Sequence, residues 1–206
     1  MKLTYGNKAE TIWRPVESWF KWEGDMITGF SDECPVSAMI NVVIPDRCTA
    51  ISNYAFSNCS DMETIDIPKS VTSIGDCAFE YCENLKDIDI PTSYIGESAF
   101  RSCSSLSSVS LPDSIKVIKA STFENCSSLK SITIPDTVVI IERSAFEGCS
   151  SLEVIEIPDS VTEVERDIFY GCTNLKTISA SMMLSEFVNE LNEGNNAEVV
   201  WRADNS

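Results

Sequence analysis

The sequence predicts a mainly β repeat solenoid, and three observations carry that prediction. Proline recurs at Pro45, Pro68, Pro91, Pro112, Pro135 and Pro158, with spacings of 23, 23, 21, 23 and 23. Phenylalanine follows each proline by 11 residues, or by 9 in the short unit, and cysteine follows each phenylalanine by 3. An alternating apolar stretch then leads into the next proline. Six matched registers over about 45–180 place one supersecondary unit in each period, stacked on its neighbours.

The unit reads Ile-Pro-Asp-Ser-Val-Thr-x-Ile-x-x-x-Ala-Phe-x-x-Cys-Ser-Ser-Leu-x-x-Ile-x. Leu-x-x-Ile-x-Ile alternates, so its apolar residues share one face and the polar ones the other, which predicts a strand. Proline ends that strand because it has no N–H for the ladder. Ser-Val-Thr-x-Ile, rich in branched residues, predicts a second short strand. Ala-Phe-x-x-Cys reads as a tight helical turn that points Phe and Cys inward. Cys-Ser-Ser or Cys-Thr-Asn supplies short side chains that bond nearby backbone and turn the chain. Coils stacked at strand spacing of about 4.8 Å give a six-coil rod roughly 28 Å long. Identical positions then form ladders: Phe56, Phe79, Phe100, Phe123, Phe146 and Phe169, beside Cys59, Cys82, Cys103, Cys126, Cys149 and Cys172.

These motifs resemble the BspA-like leucine-rich repeat family, and the resemblance covers about two-thirds of the chain. Ile27-Thr28-Gly29-Phe30 and Val42-Val43-Ile44-Pro45 are similar to the opening segment of that family. The resemblance implies a right-handed solenoid with a parallel sheet on one face. It also implies non-catalytic binding of a protein or glycan, adhesion, and a place at the cell surface or in secreted form.

Three regions follow. Residues 1–41 form an N-terminal cap and opening half-unit, 42–180 the repeats, and 181–206 a C-terminal cap. In the half-unit Met39, Val42 and Ile44 take strand positions, while Glu33 and Val36 stand where Phe and Cys belong. Trp13, Trp19, Phe20 and Trp22 are expected to close the first coil, since a solenoid must cover its open apolar ends. An aromatic platform for a sugar or partner is the alternative. Leu184, Phe187, Val188 and Leu191 predict a short amphipathic helix, and 197–201 a closing strand. The third unit, Pro91-Thr92-Ser93-Tyr94-Ile95-Gly96, lacks two residues where the others carry Val-Thr. A tolerated deletion that bends the rod is expected there, with a ligand-binding notch as the alternative. The sixth unit carries Ile168 where the others have a small residue before Phe.

Composition narrows the function. There are 32 acidic and 15 basic residues, a net charge of −17 and no histidine. Phosphate backbones need clustered Lys and Arg, so nucleic acid and anionic membranes are not expected partners. No apolar run approaches the ~20 residues of a membrane span, and Met1-Lys2-Leu3-Thr4-Tyr5-Gly6 has no apolar segment of a secretory signal behind it, which keeps a cytoplasmic scaffold as the alternative to a surface module. Without histidine the usual neutral-pH general base is missing, and no P-loop, dinucleotide fingerprint or Gly-x-Ser-x-Gly is present, so no enzymatic activity and no cofactor are expected.

Of nine cysteines, six share one repeat position and are expected to pack reduced inside the rod. A straight row does not converge four thiolates and no Cys-x-x-Cys pair exists, so no metal site is predicted. Cys34, Cys48 and Cys77 lie off the row; a disulfide among them stays open. Asn58-Cys59-Ser60 and Asn125-Cys126-Ser127 match the glycosylation acceptor pattern but are expected to lie against buried rungs. The candidate ligand-binding residues are the outward strand positions Asp66, Asp87, Asp89, Ser108, Ser110, Ser131, Thr133 and Glu156. A cation between Asp66, Asp87 and Asp89 would relieve their repulsion, but no calcium-loop motif accompanies them. Asp87 and Asp89 as a glycosidase pair lack the pocket that raises one carboxyl.

Overall fold

The computed structural model describes residues 17–35 and 38–202. Trp13 and Val36 lie outside the described residues. The described residues wind through about eight turns at the 23-residue spacing. Each of the six repeats has three sides: a long extended segment, a short strand and an arc carrying the Phe.

The long strands are Asn41–Val43, Thr64–Asp66, Asp87–Asp89, Ser108–Ser110, Val154–Glu156, Thr177–Ser181 and Glu198–Arg202. They pair in parallel at the repeat offset, as Val42 opposite Ile65, Ile88 opposite Val109 and Ile155 opposite Ile178. Ile65, Ile88 and Ile155 point inward and are buried, as the alternation predicts. Segment 131–133 keeps Ile132 buried and Ser131 and Thr133 exposed, although it forms no ladder of its own. The proline after each long strand begins a turn, because its carbonyl accepts from the amide three residues on: Val71 to Pro68 at 3.0 Å, Val138 to Pro135 at 3.0 Å, Val161 to Pro158 at 3.1 Å.

Short strands follow at Ala50–Ile51, Ser73–Ile74, Tyr94–Ile95, Val117–Ile118, Ile140–Ile141 and Glu163–Val164. They build parallel ladders of their own, so sheet lines two sides of the coil and not one. This side is discontinuous. One sheet runs from the N-terminal hairpin to Tyr94–Ile95, and a second starts at Val117–Ile118. The shortened unit stands at the break. Its Thr92 is buried, donates its hydroxyl to the Thr72 carbonyl and accepts from the Tyr94 amide at 3.2 Å, replacing part of the missing turn.

The Ala-Phe-x-x-Cys stretch is not a helical turn. Residues two before each Phe (Tyr54, Cys77, Ser98, Ser121, Ser144, Asp167) and two after it (Asn58, Tyr81, Ser102, Asn125, Gly148, Gly171) all have φ between 53° and 73°. That left-handed backbone aims alternate amides along the solenoid axis. Cys77, Phe79 and Tyr81 donate to the carbonyls of Glu97, Ala99 and Arg101 of the next coil at 2.8–2.9 Å. The intervening amides close local turns, as Glu80 to Cys77 at 3.1 Å. A ladder of turns thus replaces a helix, and every coil repeats it. The acceptor-motif residues Asn58 and Asn125 stand on this arc with exposed side chains, not against the buried rungs.

Two designs brace the shoulder between short strand and arc. In the early coils a side chain from the preceding turn caps the next amide: Asn53 Oδ1 accepts from Asp76 N–H and Asp76 Oδ1 from Glu97 N–H, both at 2.9 Å. In the later coils a glutamate reaches back from the following turn: Glu142 to Ala120 N–H and Glu165 to Arg143 N–H, both at 2.9 Å. The early design brings the coils so close that Gly75 and Gly96 have no room for a Cβ; one would lie 2.4 Å from a backbone nitrogen of the preceding coil, that of Asn53 or Asp76.

The core is a continuous column. Consecutive rings from Phe56 to Phe169 stack with centroids 5.3–5.8 Å apart and planes within 18° of parallel. Phe30 extends the column, 5.0 Å from Phe56, and Phe20 stacks on Phe30 at 5.7 Å. The hairpin Phe20–Glu23 with Met26–Phe30 therefore covers the first coil. Trp19 and Trp22 pack half-buried against it, with the Arg47 guanidinium 3.7 Å over the Trp22 ring. At the other end Met182–Phe187 is a 3-10 helix and Val188–Asn192 an α-helix. Leu184 and Leu191 are fully buried, and the final strand continues the parallel ladder beyond Thr177–Ser181.

All nine cysteines are free, so Cys34, Cys48 and Cys77 form no disulfide. Five rung thiols donate to the preceding coil's Phe carbonyl: Cys82, Cys103, Cys126 and Cys149 at 3.2 Å and Cys172 at 3.1 Å. Burial pushes the Cys59 thiol up to about 11 and those of Cys103 and Cys172 up to about 12, from an ordinary 9.0. Unfolded thiols lose protons first, so the folded chain binds more protons above that ordinary value, and stability falls as pH rises toward the folded values. The urea midpoint is expected to decline from about pH 9 to pH 11, and to decline less in Cys126→Ser, whose hydroxyl does not ionise. Equal slopes for the two proteins would contradict this.

Candidate ligand-binding face

Alternation turns every second long-strand side chain outward, and the parallel register lines those side chains up across coils. Asp87 stands opposite Ser108 and Asp89 opposite Ser110. On the preceding coil Asn41 stands opposite Thr64 and Val43 opposite Asp66, with the Thr64 hydroxyl donating to Asn41 Oδ1 at 2.9 Å. The Thr64–Asp66 and Asp87–Asp89 strands lie side by side. The structure therefore brings Asp66, Asp87, Asp89, Ser108 and Ser110 together as one exposed patch. Ser131 and Thr133 continue it through the stretch without a ladder. Among the described residues no group of three His, Cys, Asp or Glu side chains is placed to hold a metal ion.

Glu156 stands apart. It pairs with Arg202 at 3.3 Å, and the same guanidinium reaches Asp159 at 2.7 Å and the Ser179 hydroxyl at 2.8 Å. Asp136 joins these residues around an open cavity of about 270 Å3 at the far end of the face. Arg202 was not among the sequence candidates. Its signal is its position, two 23-residue periods after Glu156. Along the rim, lysines meet glutamates one coil back: Lys86 to Glu63 at 2.6 Å and Lys176 to Glu153 at 2.8 Å. The Lys176 ammonium holds the exposed Glu153 carboxyl below its ordinary value. Such exposed pairs add little stability. Asp66, Asp87 and Asp89, by contrast, form no ion pair among the described residues.

The face is polar, ordered and open. That arrangement suits hydrogen bonding and ion pairing with a surface laid across several coils. Among the described residues no helix is long and apolar enough to cross a membrane.

The family described as BspA type leucine-rich repeat region matches in six copies, over residues 33–152 and 93–195. None of the curated proteins matches the chain. Among solved structures, a leucine-rich repeat protein from Bacteroides ovatus is 30% identical, with a TM-score of 0.51 over 79% of this chain and 55% of its own. The T. pallidum leucine-rich repeat protein is 23% identical, with a TM-score of 0.52 over 93% of this chain and 86% of its own. One from Eubacterium ventriosum is 19% identical, with a TM-score of 0.54 over 76% and 43%. The last two show likeness of fold alone. This chain thus spans about half the length of the Bacteroides relative.

Proposed function

Because the chain belongs to the BspA-type leucine-rich repeat family, whose repeats are binding modules, we propose that it is a non-enzymatic module that binds a protein or glycan at the cell surface through its long-strand face. The observation that carries this reading is the exposed patch in which Asp87 and Asp89 pair in register with Ser108 and Ser110, with Asp66 on the neighbouring strand. Strand pairing fixes the backbone beneath Asp87, Asp89, Ser108 and Ser110 before a partner arrives, which lowers the entropy cost of binding. The patch is acidic, so it favours a partner with basic or hydroxyl-rich contacts and suppresses polyanions.

The test is a panel of immobilised matrix proteins and neutral and basic glycans, probed with the protein and with a triple Asp66→Lys, Asp87→Lys, Asp89→Lys variant. All three side chains are exposed, so the variant keeps its fold. Binding is expected to fall about tenfold or more in the variant and to weaken with added salt, which screens exposed charge. Undiminished binding by the variant overturns the assignment of this face.

A further inference from the structure

The break in the short-strand side has a chemical character of its own. Elsewhere on that side each coil closes on the next through one repeated bond. Gly75 N–H donates to the Ile51 carbonyl, Gly96 to Ile74, Glu142 to Ile118 and Glu165 to Ile141, at 2.8–3.0 Å. The member that would continue this series between the third and fourth coils, Lys119 N–H to the Ile95 carbonyl, is not formed. The two residues missing from the third unit leave Tyr94–Ile95 paired on one side only.

An open notch of about 180 Å3 occupies the gap. At about 30 Å3 per water it has the room of some six waters, a space for one small ring. Its walls carry Lys116, Lys119, Tyr94, Ser93 and Ser114, and no carboxylate lines it. In a chain of net charge −17, that is a local reversal of sign. Neither lysine forms an ion pair among the described residues. The Lys119 ammonium instead lies 4.4 Å from the centroid of the Tyr94 ring and 3.4 Å from its hydroxyl. Tyr94 is 53% exposed.

We propose that this notch binds one carboxylated sugar ring, a hexuronate unit of an acidic glycan. The two ammonium groups supply the charge for the carboxylate. The exposed Tyr94 ring offers an apolar surface for the C–H face of the sugar. The Ile95 carbonyl accepts from ring hydroxyls, and the Ser93 and Ser114 hydroxyls donate or accept. A bare anion would use the lysines and leave the aromatic ring and the carbonyl without a role. The site lies on the other sheet from the acidic face and does not rest on the reading of that face.

The experiment follows the backbone amide NMR signals of Ser93–Ile95 and Lys116–Lys119 in the full chain. The probes are digalacturonate, neutral galactobiose, acetate and inorganic phosphate. Digalacturonate is expected to give saturable shifts at these amides, and galactobiose to bind about tenfold more weakly or worse. Acetate and phosphate give no saturable shift. Tyr94→Ala and Lys119→Met each weaken digalacturonate about tenfold, while Lys69→Met, an exposed lysine elsewhere, leaves it unchanged. No saturable shift with digalacturonate overturns the proposal. So does equal binding of galactobiose, or binding of acetate or phosphate as tight as that of digalacturonate, which would make the notch a simple anion site. Should Tyr94→Ala lower the melting temperature, the charged and neutral disaccharides on the unaltered protein still decide.

Discussion

Replacing Phe79 by alanine is expected to lower the unfolding free energy by about 3–5 kcal/mol. The ring is fully buried and stacks on Phe56 at 5.4 Å and Phe100 at 5.3 Å, so its removal opens a hole in the middle of the column. The site has little freedom to collapse. The Phe79 amide is bonded to Ala99 of the next coil and its neighbours Cys77 and Tyr81 to Glu97 and Arg101, which holds the backbone at the stacking distance. Urea unfolding of Phe79→Ala beside Val154→Ala, a change at a 53% exposed position, separates a column effect from a general one. The surface variant should stay within about 0.5 kcal/mol of the parent. An unchanged midpoint in Phe79→Ala would mean that the column does not hold the coils together.

Gly75→Ala is expected to cost about 2–3 kcal/mol, although it adds a single methyl group. That methyl would lie 2.4 Å from the Asn53 amide nitrogen and 2.6 Å from the Ser52 carbonyl carbon. Both are backbone atoms, so relief requires the first and second coils to move apart. The strand pairing of Ala50–Ile51 with Ser73–Ile74 would then be lost. The equivalent position in a later coil gives the contrast. Glu142 occupies it with a large side chain, and Glu142→Ala removes only the bond to the Ala120 amide, worth about 1 kcal/mol. Thermal melts of the two variants measure the difference directly. Equal effects would contradict the two shoulder designs.

The column was legible because eleven residues from Pro to Phe, repeated, admits few arrangements other than stacked coils. The outward positions were legible for the same reason: strand alternation is a two-residue rule that needs no knowledge of neighbours. The Phe arc was misread because Ala-Phe-x-x-Cys has the three-residue apolar spacing of a helix. Its left-handed backbone is signalled only weakly by Asn58, Asn125, Gly148 and Gly171, while Tyr54, Cys77 and Tyr81 occupy equivalent places with no such preference. Inter-coil bonds, not local propensity, hold them there. The deletion in the third unit was visible as a count. Its effect was not, because Thr92 restores one side of the coil and the cost appears on the other, as the missing Lys119–Ile95 bond. Arg202 stayed hidden among residues after the period ends, although it takes Glu156 out of the polar patch.

The proposed role requires a binding module displayed outside the cell. Treating intact source cells with protease tests it most directly, with a cytosolic protein as control. The chain is expected to be removed while the control survives. Survival of the chain together with the control would contradict it and turn the search toward intracellular partners.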